Sequence, residues 1–251
     1  MKILIADIET APNLAFVWGL WQQNVSISQI QEAGYTMCFA ARWLGEKDII
    51  FDSVHKSGMK RMLKRIHKLL SDADVVITYN GDKFDLPTLN KEFIQAEMAP
   101  PAPYKSVDLY RTAKNQFRFP SNKMDYLGRA LNLGEKIKHT GMDLWIQCMA
   151  GSDEAWELME KYNKQDVVLL EKIYERMRPW IRMHPNHGTY DEPGVPVCPN
   201  CGHGHLQRRG FARTIVQTYA RYQCLGCGAW SRSPVGELPK EDRAIIQRRI
   251  V

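Results

Sequence analysis

Near its C-terminus the chain reads "CPNCG" (198–202) and "CLGCG" (224–228), two C-x2-C pairs separated by 22 residues. Each pair makes a knuckle that presents two thiolates together, and Gly202 and Gly228 follow where a left-handed backbone eases the turn. Four thiolates gathered in this way suit the tetrahedral preference of Zn2+. The segment around them holds few large apolar side chains from which to build a core and needs a staple. One structural Zn2+ on Cys198, Cys201, Cys224 and Cys227 is therefore expected to organise residues 189–251. His203 and His205 could substitute for a ligand, but the four cysteines suffice. The two remaining cysteines, Cys38 in "TMCFAA" and Cys148 in "WIQCMA", read as core residues.

This module is similar to a zinc ribbon, with hairpin strands in "HLQRRGFART" and "TYARYQC" and a last helix in "KEDRAIIQRRIV". Arg208, Arg209, Arg213, Arg221 and Arg232 interleave there with Phe211, Tyr219, Tyr222 and Trp230, the mixture of phosphate-binding cations and stacking rings used on single strands. Protein docking is the other reading, with replication proteins as the implied partners. The formal charge of +6 is concentrated in this region, where nine Lys and Arg face five Asp and Glu between 189 and 251. A basic surface is a weak pointer to nucleic acid by itself.

A composition of 44% hydrophobic and 25% charged residues is ordinary for a soluble globular protein. No apolar run approaches the roughly 18 residues of a membrane span, and "MKILIADIE" meets acid too early for a signal peptide. A cytoplasmic protein without membrane contact is expected, in the host cytoplasm if a phage encodes it. Residues 2–8, 36–44 and 48–54 read as three successive strands, a meander in which "GEK" turns between the last two. "GMKRMLKRIHKLLSDA" (58–73) places Met59, Met62, Leu63, Ile66, Leu69 and Leu70 at helical spacing. Residues 74–80 form a short buried strand, and 85–98 a helix that accepts Pro87 in its first turn. Further helices are expected at 107–116, 123–132, 153–161 and 162–182. Strands followed by alternating and then consecutive helices imply an α/β mixed sheet flanked by helices. A shift to Pro, Gly and Cys places a domain boundary near 188, giving domains at 1–188 and 189–251.

The first strand ends in Asp7-Ile8-Glu9. Side chains alternate along a strand, so the two carboxylates share a side, an arrangement that a hard divalent cation relieves. The strand 74–80 leads into "YNGDKFDLPTL", where Asp85 could equally be the N-cap of the following helix. On a late helix Tyr162 and Asp166 stand four apart and lie on one face. Taken singly, each has a plain structural explanation: a strand running into solvent, a helix cap, a helix surface over a buried tyrosine.

In this order, however, D-x-E, N-x3-F-D and Y-x3-D resemble the signature of the DEDD exonucleases. The sequence is similar over about residues 1–180 to the proofreading domain of family B DNA polymerases and to the wider ribonuclease-H-like exonuclease superfamily, including the intervening "VDLYRTAKNQFRFPSNKMDYLGRALNLGEKIKH". The branch that uses histidine has it five residues before the last aspartate, where this chain has Lys161. The branch that uses tyrosine has it four before, where Tyr162 stands. The resemblance thus implies a ribonuclease-H-like DEDDy fold with a site of Asp7, Glu9, Asp85, Tyr162 and Asp166. It also implies a stand-alone enzyme of the kind phages encode, since no polymerase palm or fingers fits in the rest.

The chemistry implied is two-metal hydrolysis, with two Mg2+ or Mn2+ ions roughly 3.5 to 4 Å apart. Asp7 would bridge them, Glu9 and Asp166 complete the ion on the water side, and Asp85 serve the leaving-group ion. Tyr162, with an ordinary pKa near 10, would orient water and not act as a base. Asn80 and Phe84 frame the second motif and are candidates for nucleic-acid contact; for Phe84, as for Tyr79 and Tyr110, core packing competes with base stacking. Asp82 and Asp108 stay outside the metal set. The implied activity is 3'-to-5' exonucleolysis of single-stranded DNA ends. RNA degradation, endonucleolytic nicking, or a non-catalytic nucleic-acid or replisome adaptor on the same scaffold are the alternatives.

Overall fold

The apolar opening run is β1 (Ile3–Thr10), and it lies third in a five-stranded sheet. Ile3, Leu4 and Ile5 are buried, as a strand covered on both faces requires. The computed structural model describes residues 1–190 and 194–248. It divides into two compact units, Lys2–Glu175 and a second made of Met1 with Arg176–Val251.

In the first unit β1 leads into a small hairpin, β2 (Leu14–Ala15) and β3 (Ile30–Glu32), and then into β4 (Thr36–Trp43) and β5 (Ile50–Ser53). β4 pairs antiparallel with β1 and β5 antiparallel with β4, which is the expected meander. The hairpin inserted within it was not legible from apolar periodicity. α1 (Val54–Ser57) and α2 (Met59–Asp72) cross to β6 (Val75–Thr78), which runs parallel to β1. α3 (Asp85–Gln95) crosses to β7 (Lys105–Asp108), parallel to β6. The sheet order is β5-β4-β1-β6-β7.

Leu4, Ala6 and Ile8 of β1 pack with Met62, Leu63, Ile66 and Leu70 of α2 and with Leu89 and Phe93 of α3. Full burial stabilises by about 1.5 to 3 kcal/mol for each large apolar side chain. The alternation of the strand then sends Asp7 and Glu9 to the opposite face. There their cross-strand partners are the small Ala40 and Cys38, which leave space above the sheet. The β1 register shifts between Glu9 and Thr10, an irregularity of the kind that re-aims side chains beside sites.

α4 (Leu109–Gln116), α5 (Met124–Ala130), α6 (Met142–Met149) and α7 (Asp153–Met177) follow. The helix expected over 107–116 begins two residues late. Asp108 ends β7 and caps α4, its Oδ1 accepting from the Tyr110 N–H at 2.9 Å. The helices expected over 153–161 and 162–182 are one continuous α7, since neither Gly nor Pro stands between them. α6 was not anticipated, and the helix expected over 85–98 stops at Gln95.

Close packing joins α5 to α7. A Cβ on Gly128 would lie 2.5 Å from the Gly134 carbonyl oxygen and 2.9 Å from Leu169 Cδ1. Backbone cannot yield as a flexible side chain can, so Gly128→Ala is expected to destabilise the protein by about 1 to 3 kcal/mol, read as a lower midpoint in denaturant at unchanged slope.

The second unit carries a three-stranded sheet, β8 (Leu206–Arg213), β9 (Thr218–Cys224) and β10 (Trp230–Gly236), in the order β10-β9-β8. Two strands were expected and the third was not. Of the helix expected at 240–251, α8 covers Lys240–Ala244, and residues 249–251 lie outside the described residues. Among the described residues no helix is long and apolar enough to cross a membrane.

Candidate active site and cysteine cluster

Residues from the first ten positions and from α7 meet over the face of the sheet left open by the small side chains. Asp7, Glu9 and Asp166 each offer a carboxylate oxygen, and these atoms lie within 4.8 Å of one another. Tyr162 sits one turn before Asp166 on α7 and is likewise buried. Asn163, between them and fully buried, donates from Nδ2 to Asp7 Oδ2 at 2.7 Å and so fixes the bridging candidate to the helix. Asp85 lies outside the compact triad. Phe84, not Asp85, is the N-cap of α3, and Asp85 Oδ1 instead accepts from the Ile8 N–H at 3.2 Å. That bond brings it beside Asp7, and after burial its charge is the largest influence raising the Asp7 pKa.

Sequence reasoning missed the cation here. Lys136, in the loop "GEKIKH", donates from Nζ to Asp166 Oδ2 at 2.5 Å and to Tyr162 Oη at 3.0 Å. Burial opposes its charge, but Asp166 and Tyr162 outweigh that and hold its pKa above the ordinary lysine value. Lys136 and Lys138 stand two apart without a periodic pattern, so no sequence signal chooses between them. Tyr162 is further held by the His139 ring at 4.9 Å and the Trp145 ring at 6.2 Å, both edge-on.

One lysine does not neutralise this group of acids. Burial and then the Asp166 charge push Glu9 up to about 8. Burial pushes Asp85 up to about 7 against the Ile8 hydrogen bond. Asp7 and Asp166 are raised also, first by burial, with Lys136 working against the rise in both. Asp166 Oδ1 is buried and has no hydrogen-bond partner among the described residues. An orphaned carboxylate oxygen among mutually repelling acids fits a divalent cation, and oxygen-only ligands suit Mg2+ or Mn2+.

These shifts have a sign. A carboxyl group whose pKa is higher in the folded than in the unfolded protein adds stability at low pH that is lost as pH rises through its folded value. With Glu9 at about 8 and Asp85 at about 7, against ordinary values near 4, the loss runs across that interval. Protein stripped with EDTA is expected to melt at a lower temperature at about pH 8 than at about pH 6. Added Mn2+ should raise the melting temperature more at the higher pH. Scanning calorimetry at both values checks this.

The other residues singled out in the second motif fall nearby. Asn80 has a left-handed backbone (φ 64°), and its N–H donates to Asp108 Oδ1 at 2.8 Å. Phe84 is 46% exposed, which removes core packing as its explanation. Tyr79 and Tyr110 pack edge to face at 6.1 Å, and the Tyr79 hydroxyl donates to the Asn122 carbonyl. Asp82 is held by Arg111 at 2.8 Å and by the Ser106 hydroxyl at 2.5 Å, apart from the triad.

In the second unit the four cysteine sulfurs also lie within 4.8 Å of one another. Cys198 and Cys227 Sγ are 3.7 Å apart and Cys201 and Cys224 Sγ 3.6 Å, too far for disulfides. Zn–S bonds of about 2.3 Å give a tetrahedron with edges of about 3.8 Å, so the spacing matches. Gly202 (φ 74°) and Gly228 (φ 80°) take the left-handed positions after each knuckle. Burial opposes ionisation of Cys224, but N–H groups of Cys227 and Gly226 overcome it and bring the thiol down to about 7. Burial pushes Cys198 up to about 11, and so a cation is needed to keep all four as thiolates.

The arginines of this unit are engaged with its own aromatic rings. Arg208 pairs with Glu237 at 2.6 Å and lies 5.3 Å from the Phe211 ring, which Arg213 approaches at 5.7 Å. Arg221 lies 4.9 Å from the Trp230 ring, Arg232 3.8 Å from Tyr219, and Arg209 bonds Gln207. Arg221 also donates from Nε to the Arg209 carbonyl at 2.9 Å, so ring contacts and hydrogen bonds within the sheet fix where these cations lie.

A mixed sheet with acids from its central strand meeting an acid from a late helix defines a ribonuclease-H-like nuclease fold with an acidic cluster. The chain belongs to the RNase_H superfamily, matching the RNase_H_2 family profile over residues 4–178. Among solved structures it is similar to the family B DNA polymerase from the hyperthermophilic archaeon Pyrobaculum calidifontis, with a TM-score of 0.55 and 13% identity over 71% of this chain. The match spans 24% of that polymerase, and at this identity the likeness is one of fold. A comparison with curated proteins finds no match.

Proposed function

We propose that the chain is a metal-dependent 3'-to-5' exonuclease of the tyrosine type acting on single-stranded DNA. The observation that carries this reading is the convergence of carboxylate oxygens from Asp7, Glu9 and Asp166 within 4.8 Å of one another, with Tyr162 one helical turn away. Asp7, Glu9 and Asp166 would hold one divalent ion, and Asp7 with Asp85 a second. Bound there, the ions supply Lewis-acid activation of water and charge stabilisation at the leaving oxygen.

The protein's own groups do the rest. Asn163 keeps the Asp7 carboxylate in one orientation. Burial, and then Asp166, keep the Tyr162 hydroxyl protonated well beyond neutral pH, so it acts as a hydrogen-bond donor that positions water and not as a base. Asn80 and the exposed Phe84 would contact the terminal nucleotides. A zinc module at 189–251, following a nuclease domain at 1–188, would grip the strand through Arg208, Arg209, Arg213 and Arg221.

Oligonucleotides of DNA and RNA labelled at the 5' end, incubated in EDTA, Mg2+ or Mn2+, test the proposal. A ladder of products shortened one nucleotide at a time from the 3' end, on DNA and only with metal, is expected. Internal cuts or a preference for RNA would transfer the site to another reaction, and no cleavage with either ion would refute it.

A further inference from the structure

One residue after Glu9, at Thr10, the backbone leaves the sheet, and it does not return until Thr36. The excursion is rooted. The Ala11 N–H donates to the Tyr35 carbonyl at 2.8 Å, the Gly34 N–H to Asn13 Oδ1 at 2.6 Å, and Lys91 of α3 donates from Nζ to the Gly34 carbonyl at 2.8 Å. Above the root β2 pairs with β3, and Phe16 and Gln29 are joined by two hydrogen bonds, of 2.9 and 2.8 Å. Beyond this clasp the arm carries Trp18 at 97% exposure, Leu20 at 88% and Trp21 at 84%.

Tryptophan has the most to gain from burial, and two of them open to water on one anchored arm mark a surface that meets something else. The charge pattern narrows the occupant. From Pro12 to Gln31 there is no Asp, Glu, Lys or Arg. Nothing on the arm repels a polyanion, the two indole rings offer faces on which bases stack, and Gln22 and Asn24 place further amides at the tip. Position narrows it further. The arm springs from the carboxyl end of β1, the end of the parallel strands where open α/β sheets bind ligands, and Asp85 opens α3 beside it.

We infer that residues 12–33 form a stacking arm on which Trp18 and Trp21 hold the bases of a single strand whose end lies at the carboxylate triad. The inference rests on the proposed nuclease reading for what occupies the triad. Its test does not. Binding of a fluorescein-labelled oligothymidylate to the full chain, zinc in place and no Mg2+ or Mn2+ added, is followed by anisotropy for the wild type, for Trp18→Ala/Trp21→Ala and for Trp18→Phe/Trp21→Phe. Loss of two stacks should weaken binding by at least about tenfold. Phenylalanine should restore most of it, and the dependence on salt should stay the same because no phosphate contact is lost. Equal affinity of the wild type and the alanine variant overturns the inference. So does a wild type without measurable affinity, or an alanine variant that binds normally but changes from dimer to monomer in sedimentation, which would assign the arm to a second copy of the chain. Since hydrolysis is not read, a protein that binds through the arm but never cuts would refute the nuclease reading and leave the arm standing.

Discussion

Asp7→Ala is expected to lower phosphodiester hydrolysis by about a hundred- to a thousandfold, the scale on which single members of charge-stabilising sites act, whereas Tyr162→Phe should retain measurable turnover. Asp7 belongs to the oxygen triad, faces Asp85 across the Ile8 hydrogen bond, and is the group that Asn163 clamps. Its loss removes a ligand from both proposed ions. Tyr162→Phe keeps every carboxylate and the aromatic packing against His139 and Trp145, and loses one hydroxyl that Lys136 also contacts. Single-turnover rates on the same oligonucleotide separate the two variants from any difference in binding. Equal rates for Asp7→Ala and the wild type would show that the hydrolysis, if any, occurs elsewhere.

The second large effect concerns the cysteines. Metal analysis should find about one zinc for each chain, resistant to dialysis, while catalytic ions exchange freely. Structural zinc contributes roughly 10 to 16 kcal/mol in small zinc-binding peptides near neutral pH, more than a three-stranded sheet with a core of Cys198, Cys224 and Ala229 can replace. Cys198→Ser or Cys224→Ser is therefore expected to unfold β8 to β10, read as loss of amide-exchange protection there, with protection in β1, β4 and β6 unchanged. Active, folded protein without zinc would defeat this.

What was legible in the sequence was what short-range chemistry writes down. The apolar run of β1, the alternation that pairs Asp7 with Glu9, the helical stripe of α2 and the spacing of the cysteine knuckles each follow from rules that span a few residues. The joining of α7 into one helix was obscured by splitting a span that contains no breaker. Lys136 and Asn163 were not legible at all, because their partners are 30 and 156 residues away and nothing local marks them. The arm escaped for the opposite reason. Its apolar residues follow neither a period of 2 nor one of 3.6 because they face water and not a core. Asp108 shows how a neighbouring role hides another, since one side chain both ends a strand and starts a helix.

The placement of the acids also bears on when this chain can act. Asp7 and Glu9 come from a strand far earlier in the sequence, whereas Tyr162, Asn163 and Asp166 all come from one turn and a half of α7. A chain that stops before residue 162 lacks the Asn163 clamp on Asp7, the Tyr162 hydroxyl and the Asp166 carboxylate together. Assembly of the acidic cluster is thus all or nothing: a chain that folds its sheet without this stretch of α7 gathers no triad of carboxylates.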